Sequence, residues 1–225
     1  MAGGLCGVEG HSLKAYVITI LSLPQSLEAA GRCMESGGKF GVEVEIHSAV
    51  TPDDQPLELV RRYGLSAARF RDNKYSRLEP CVATFLSHYE LWWKCAKGTE
   101  KLLILEHDAV FHAGLPDLSE VIGACSLGRP SFGSFVTPKE GLGPLTSKPY
   151  FPGAHAYVVT PPGAEKLIEA AEREACPTDI FLSVERFRWL QEFYPWPVVA
   201  EDRFTTIQKE EGCKAKHNRV EIIEW

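Results

Sequence analysis

The sequence predicts an α/β fold with a mostly parallel central sheet flanked by helices, and three observations carry that expectation. Apolar runs of strand length alternate with segments of helical periodicity, beginning with a strand, a helix and a second strand. The run Leu102-Leu103-Ile104-Leu105 is unbroken, as in a strand buried on both faces. Glu106, His107 and Asp108 follow it directly, which is how such a strand ends at the rim of an open sheet, where ligands bind.

Residues 1–13 are glycine-rich and read as a loose lead-in. Lys14 to Leu21, rich in Tyr, Val, Ile and Thr, is the first expected strand; Pro24 then opens a helix to about Glu35 that Gly37 and Gly38 stop. Val42 to Val50 alternates as a second strand, and Pro56 to Tyr63 reads as a short helix ended by Gly64. Ser66 to Pro80 is a polar connection carrying Arg69, Arg71, Lys74 and Arg77. It is either a solvated loop or an anion-facing one beside a phosphate-bearing ligand. Pro80 starts a helix in which Val82, Phe85, Leu86, Tyr89, Trp92, Trp93 and Ala96 make a wide apolar stripe suited to packing on a sheet. Ser87 and His88 lie off that stripe, as surface or capping residues or as part of a ligand site.

In the strand end that follows, alternation puts Glu106 and Asp108 on one side and His107 on the other. Two carboxylates so spaced either hold a hard divalent cation through oxygen or belong to a solvated loop or helix cap. Beyond a turn at Gly114 to Pro116, the pattern gives a helix over Asp117 to Cys125 and a short strand over Ser131 to Val136. Thr137 to Gly153 is a Gly/Pro-rich loop of the length that lids and binding loops have. Ala154 to Thr160 reads as a strand, Pro161 to Glu174 as a helix, and Ile180 to Phe193 as an amphipathic helix that Thr178 or Asp179 caps. Pro195 to Val199 is extended, and the tail over 203–225 is polar and partly basic.

The 225 residues read as one domain with ordinary globular composition, 44% hydrophobic and 24% charged. A formal charge of −6 argues against broad electrostatic binding to nucleic acid or an anionic membrane. There is no apolar run of membrane-spanning length and the first dozen residues lack the pattern of a secretory signal, so a cytoplasmic protein without a membrane span is expected. Seven scattered cysteines, never in a C-x-x-C arrangement, read as free thiols rather than a disulfide framework or zinc ribbon.

YVITIL from Tyr16, AVTPDD from Ala49, ATFLSHYELWWKC from Ala83, LLILEHDAVF from Leu102, GAHAYVVTPPGAEKLI from Gly153 and PTDIFL from Pro177 form an ordered set covering most of the chain. This set resembles glycosyltransferase family 25, which includes bacterial lipooligosaccharide galactosyltransferases and the galactosyltransferase domains acting on collagen. His107 stands where the family's acidic motif commonly has a middle acid. Thr19-Ile20-Leu21 and Gln25-Ser26 stand where the family usually has an Asn and an Arg.

The resemblance implies a GT-A-type, Rossmann-like fold, a nucleotide-sugar donor (UDP-galactose or UDP-glucose), Mn²⁺ or Mg²⁺, and inversion at the anomeric carbon. It makes Asp108 a metal ligand, with Glu106 assisting the metal or holding the ribose and His217 as a third ligand. Asp179, in the family's Pro-x-Asp position, becomes the base for the attacking hydroxyl; Glu140, in the long Gly/Pro-rich loop, is a second candidate by its position there. Ser87, His88, His107, His155, Arg69 and Arg71 become donor contacts; without metal, Arg69, Arg71 or Lys139 would share the neutralising role. A glycan hydroxyl is the expected acceptor, with a hydroxymethylated DNA base or a hydroxylated protein side chain as alternatives. Two rival readings are an inactive relative that binds a nucleotide sugar or glycan, and a nucleotidyltransferase-like enzyme. The second should carry a Gly-rich phosphate loop after the first strand, and Leu21 to Ala30 has none.

Overall fold

The computed structural model describes residues 13–70, 77–131, 133–151 and 153–201. Arg71 and His217 lie outside the described residues, as do Cys6 and Cys213. In chain order the elements are β1 (Leu13–Thr19), α1 (Pro24–Lys39), β2 (Val44–Ser48), α2 (Pro56–Arg62), α3 (Leu78–Ala96), β3 (Lys101–Glu106), β4 (Ala109–Phe111) and β5 (Ala124–Ser126). Then come β6 (Gly141–Pro144), β7 (Ala156–Val159), α4 (Pro161–Arg173), α5 (Thr178–Phe181), β8 (Gln191–Tyr194) and β9 (Val198–Ala200).

Seven strands form one sheet in the order β2-β1-β3-β7-β5-β8-β6, and β4 pairs with β9 in a separate ribbon. β1 is parallel to β2 and to β3, but β7 runs antiparallel to both β3 and β5, and β6 antiparallel to β8. The sheet is therefore mixed, which corrects the mostly parallel sheet expected. A parallel partner needs a crossover. β7 instead arrives from the long loop and enters beside β3 from the far end.

Alternation along the central strands separates two cores. Tyr16, Ile18, Leu102, Ile104, Tyr157 and Val159 face α3 and α4, while Ala15, Val17, Leu103, Leu105, Ala156 and Val158 face α1 and the β4/β9 ribbon. α3 buries Phe85, Leu86, Tyr89 and Trp92 completely or nearly so on the first face. α4 begins where Thr160 caps it, its Oγ1 accepting from the Gly163 N–H at 3.1 Å. Among the described residues no helix is long and apolar enough to cross a membrane. The five described cysteines, Cys33, Cys81, Cys95, Cys125 and Cys176, are free and buried.

Three local expectations are overturned. Asp117 to Cys125 is not a helix but turns leading into β5. Ser131 and residues 133–136 are not in a strand; the strand described in this part of the chain is β6, inside the expected loop. Ile180 to Phe193 is not a helix, because α5 stops after one turn and Gln191–Tyr194 is taken into the sheet between β5 and β6.

Candidate active site

β1, β2 and β3 run in one direction, so their C-terminal ends share a rim; there Ile18 lies level with His47 on one side and Glu106 on the other. Glu106 is the last residue of β3 and continues the side of Leu102 and Ile104, the face that α3 covers. Its Oε1 lies 3.2 Å from Nε2 of His88. Nδ1 of the same ring lies 2.9 Å from Oη of Tyr157, which also accepts from Nε1 of Trp92 at 2.8 Å. Burial pushes His88 down to about 3 against the opposing pull of the Asp179 carboxylate, so the ring is neutral. Burial also holds the Tyr157 phenol well above its ordinary value.

His88 and Ser87 are thus core residues rather than surface or capping ones. Helical spacing places His88 four residues before Trp92, and Tyr157 on β7 gives both a polar partner within the apolar face. Ser87 spends its hydroxyl inside the fold, donating to the Ala83 carbonyl at 3.0 Å and accepting from the Val50 N–H at 2.9 Å. It ties α3 to the end of β2.

The two carboxylates of the acidic motif do not continue one extended segment. β3 ends at Glu106, and residues 107–108 form a turn into β4. Glu106 meets α3, while the Asp108 carboxylate acts on Cys33 of α1, whose thiol is pushed up to about 12 by burial and by that charge. Asp108 is half-buried, and its carbonyl accepts from the Glu201 N–H at 2.8 Å. The His107 ring reaches α1, its Nδ1 3.1 Å from the Ser26 Oγ, which accepts from the Ile20 N–H at 2.9 Å. Among the described residues no three His, Cys, Asp or Glu side chains converge as a metal-ligand set.

Gly153 and Ala154, with φ of 84° and 50°, turn the chain into β7 through consecutive left-handed conformations. This corner delivers His155 beside Glu106, whose N–H donates to the His155 carbonyl at 2.9 Å. The His155 ring is buried and packs so closely on Gly128 that a Cβ there would fall 2.3 Å from Nε2. Asp179 is half-buried in α5 and its Oδ1 accepts from the Ile180 N–H at 2.9 Å. Pro177, not Thr178 or Asp179, stands at the N-cap, so neither capping assignment holds. The charge of Asp179 acts on His88 and on Cys81 of α3, and α5 packs against α3 through Phe181, which meets Phe85 and Trp92.

Two expected site residues stand apart. Glu140 is exposed just before β6, and Gly141 pairs with Tyr194 at the end of β8. It shares the rim but lies four strands from β3 in the sheet order, roughly 19 Å at ordinary strand spacing. Arg69 pairs with Glu174, which also binds Arg186 at 3.1 Å, and lines a surface cavity of about 400 Å³ with Arg173.

Trp92, Tyr157 and Ser26 are the polar contacts that sequence reasoning missed. Trp92 falls in an apolar stripe and Tyr157 in an apolar strand, and their polar atoms are the signal that marks them. No protein-family model matches this chain, and no curated protein matches it.

Proposed function

We propose that the protein is an inverting glycosyltransferase of the GT-A type that moves a hexose from a nucleotide-diphosphate sugar to an acceptor hydroxyl, a glycan hydroxyl by default. The observation that supports this reading is convergence: the end of β3, His88 of α3 and the start of β7, far apart in sequence, meet at one rim of an α/β sheet, within the electrostatic reach of Asp179 on α5. These are the segments that carry the family resemblance. His88 touches Glu106 and feels the field of the Asp179 carboxylate.

In such a transfer the acceptor hydroxyl attacks the anomeric carbon as the nucleoside diphosphate leaves from the opposite face. Asp179, half-buried and on the α3 side, takes the hydroxyl proton as the new bond forms. Glu106, held from behind by His88, binds a hydroxyl of the donor. Asp108, turned to the α1 side, would hold Mn²⁺ or Mg²⁺. One carboxylate together with diphosphate oxygens is a ligand set these ions accept, and it fits the divergence of the two acids. When bound, the ion offsets the charge that gathers on the leaving diphosphate.

The test is release of nucleoside diphosphate from a panel of UDP-sugars, with and without Mn²⁺ and with simple glycosides as acceptors. Sugar transfer to a glycoside is expected. Binding without release points to the inactive, nucleotide-sugar-binding relative, and absence of binding to every member of the panel refutes the proposal.

A further inference from the structure

Trp92, Tyr157, His88 and Glu106 form a chain of polar atoms in which each group's protons constrain the next. The Trp92 indole N–H only donates, and it meets Oη of Tyr157 at 2.8 Å. The phenol retains one proton, and Nδ1 of His88 lies 2.9 Å from the same oxygen. If that proton goes to Nδ1, Nδ1 is the acceptor nitrogen of the ring. The ring's single proton then sits on Nε2 and points to Oε1 of Glu106, 3.2 Å away. Every donor faces an acceptor. The opposite polarity, with Nδ1–H donating to Oη, leaves the phenol proton without this acceptor in a fully buried site and turns the Nε2 lone pair toward a carboxylate. The two rings also stack, with centroids 5.8 Å apart, which limits rotation of the imidazole.

We infer that Trp92 and Tyr157 are positioning residues that lock His88 as its Nε2–H tautomer and thereby hold the Glu106 carboxylate as a fixed hydrogen-bond acceptor for a hydroxyl of the bound nucleotide. The identity of that ligand rests on the sugar-transfer reading; the tautomer does not. The arrangement divides the acidic motif by function. Glu106, on the α3 face, reads a hydroxyl, and Asp108, on the α1 face, is left for the diphosphate end. A neutral His88 locked in one direction donates to Glu106 permanently, which no freely rotating surface histidine does.

Two measurements on the whole protein decide it. Nitrogen-15 NMR of the histidine rings should show His88 protonated at Nε2 and bare at Nδ1 at neutral pH, with Tyr157→Phe releasing the ring into an average of both tautomers. Calorimetry with UDP should show about tenfold weaker binding for His88→Ala and for Tyr157→Phe, the scale of one hydrogen bond to a charged group. His88→Gln, whose amide N–H and C=O reproduce the donor toward Glu106 and the acceptor toward Tyr157, should restore affinity to within roughly threefold of wild type. An Nδ1–H tautomer in the wild-type protein overturns the inference whatever the variants do. A folded His88→Gln protein that binds UDP no better than His88→Ala overturns the positioning role. Absence of UDP binding by the wild-type protein overturns the ligand assignment together with the sugar-transfer reading, and the tautomer is then judged from the NMR result by itself.

Discussion

Lowering the pH from 7 to 5 should destabilise the protein through His88 in particular. In the unfolded chain a histidine titrates near its ordinary value of about 6.5. In the fold, burial holds His88 down to about 3. Between those values the unfolded state binds a proton that the folded state refuses, so stability rises with pH, is fully present above about 6.5 and is lost as the pH falls toward 3. The slope is about 1.4 kcal/mol per pH unit for one group, so His88 alone costs about 2 kcal/mol between pH 6.5 and 5. His47, lowered to about 4 by burial first and then by the charge of Lys94, adds in the same direction, reduced by its partial exposure. Carboxylates titrate as well, and the comparison with His88→Gln removes them because they are common to both proteins. Urea unfolding at pH 7 and pH 5 should show the wild type losing about 2 kcal/mol more than His88→Gln. Equal losses would refute the reasoning, since they would mean that His88 titrates alike in the folded and unfolded chains.

Four further outcomes follow from single side chains. Glu192 is buried, and its Oε1 accepts from the Thr146 N–H, the Ser147 N–H and the Thr146 hydroxyl at 2.6, 2.8 and 3.0 Å, so Glu192→Ala should cost about 2–4 kcal/mol in chemical denaturation. A Cβ on Gly163 would fall 2.4 Å from the Gly123 carbonyl oxygen, which is backbone and cannot swing away; Gly163→Ala should destabilise by about 1–3 kcal/mol, seen as a lower melting temperature. Asp108→Ala should remove the Mn²⁺ dependence of UDP binding while leaving metal-free binding nearly unchanged, checked by calorimetry with and without the ion. Asp179→Asn should spare UDP binding and lower turnover by about 10²-fold or more, the range of a lost general base, and near-normal turnover would remove Asp179 from that role.

Where packing follows local pattern, the sequence is readable. α3 shows its apolar stripe, α4 has Pro161 behind a capping Thr160, and the run before Glu106 is a strand buried on both faces. Where a segment's state depends on a distant partner, the pattern misleads. Gly141–Pro144 has no β propensity of its own and becomes a strand because it pairs with Gln191–Tyr194. Leu182, Phe187 and Leu190 continue the apolar pattern of Phe181 at the end of α5, yet they are buried from the turns and bends that lead into β8. The site divides in the same way. That Glu106 and Asp108 end a strand at a rim is local information. That they part to opposite faces depends on a turn at residues 107–108, and that His88 is buried depends on Tyr157 from another strand. Glu140 belongs to the long loop, and the sheet order sets it four strands away from β3.

The most direct test of the sugar-transfer account is to map UDP onto the protein by NMR shift perturbation of its backbone amides. The account predicts saturable changes concentrated at Glu106 to Asp108, Gly153 to His155 and Asp179, with the opposite rim around Lys101 and Thr160 unaffected. Saturable changes centred away from that rim, or none at millimolar UDP, would contradict it.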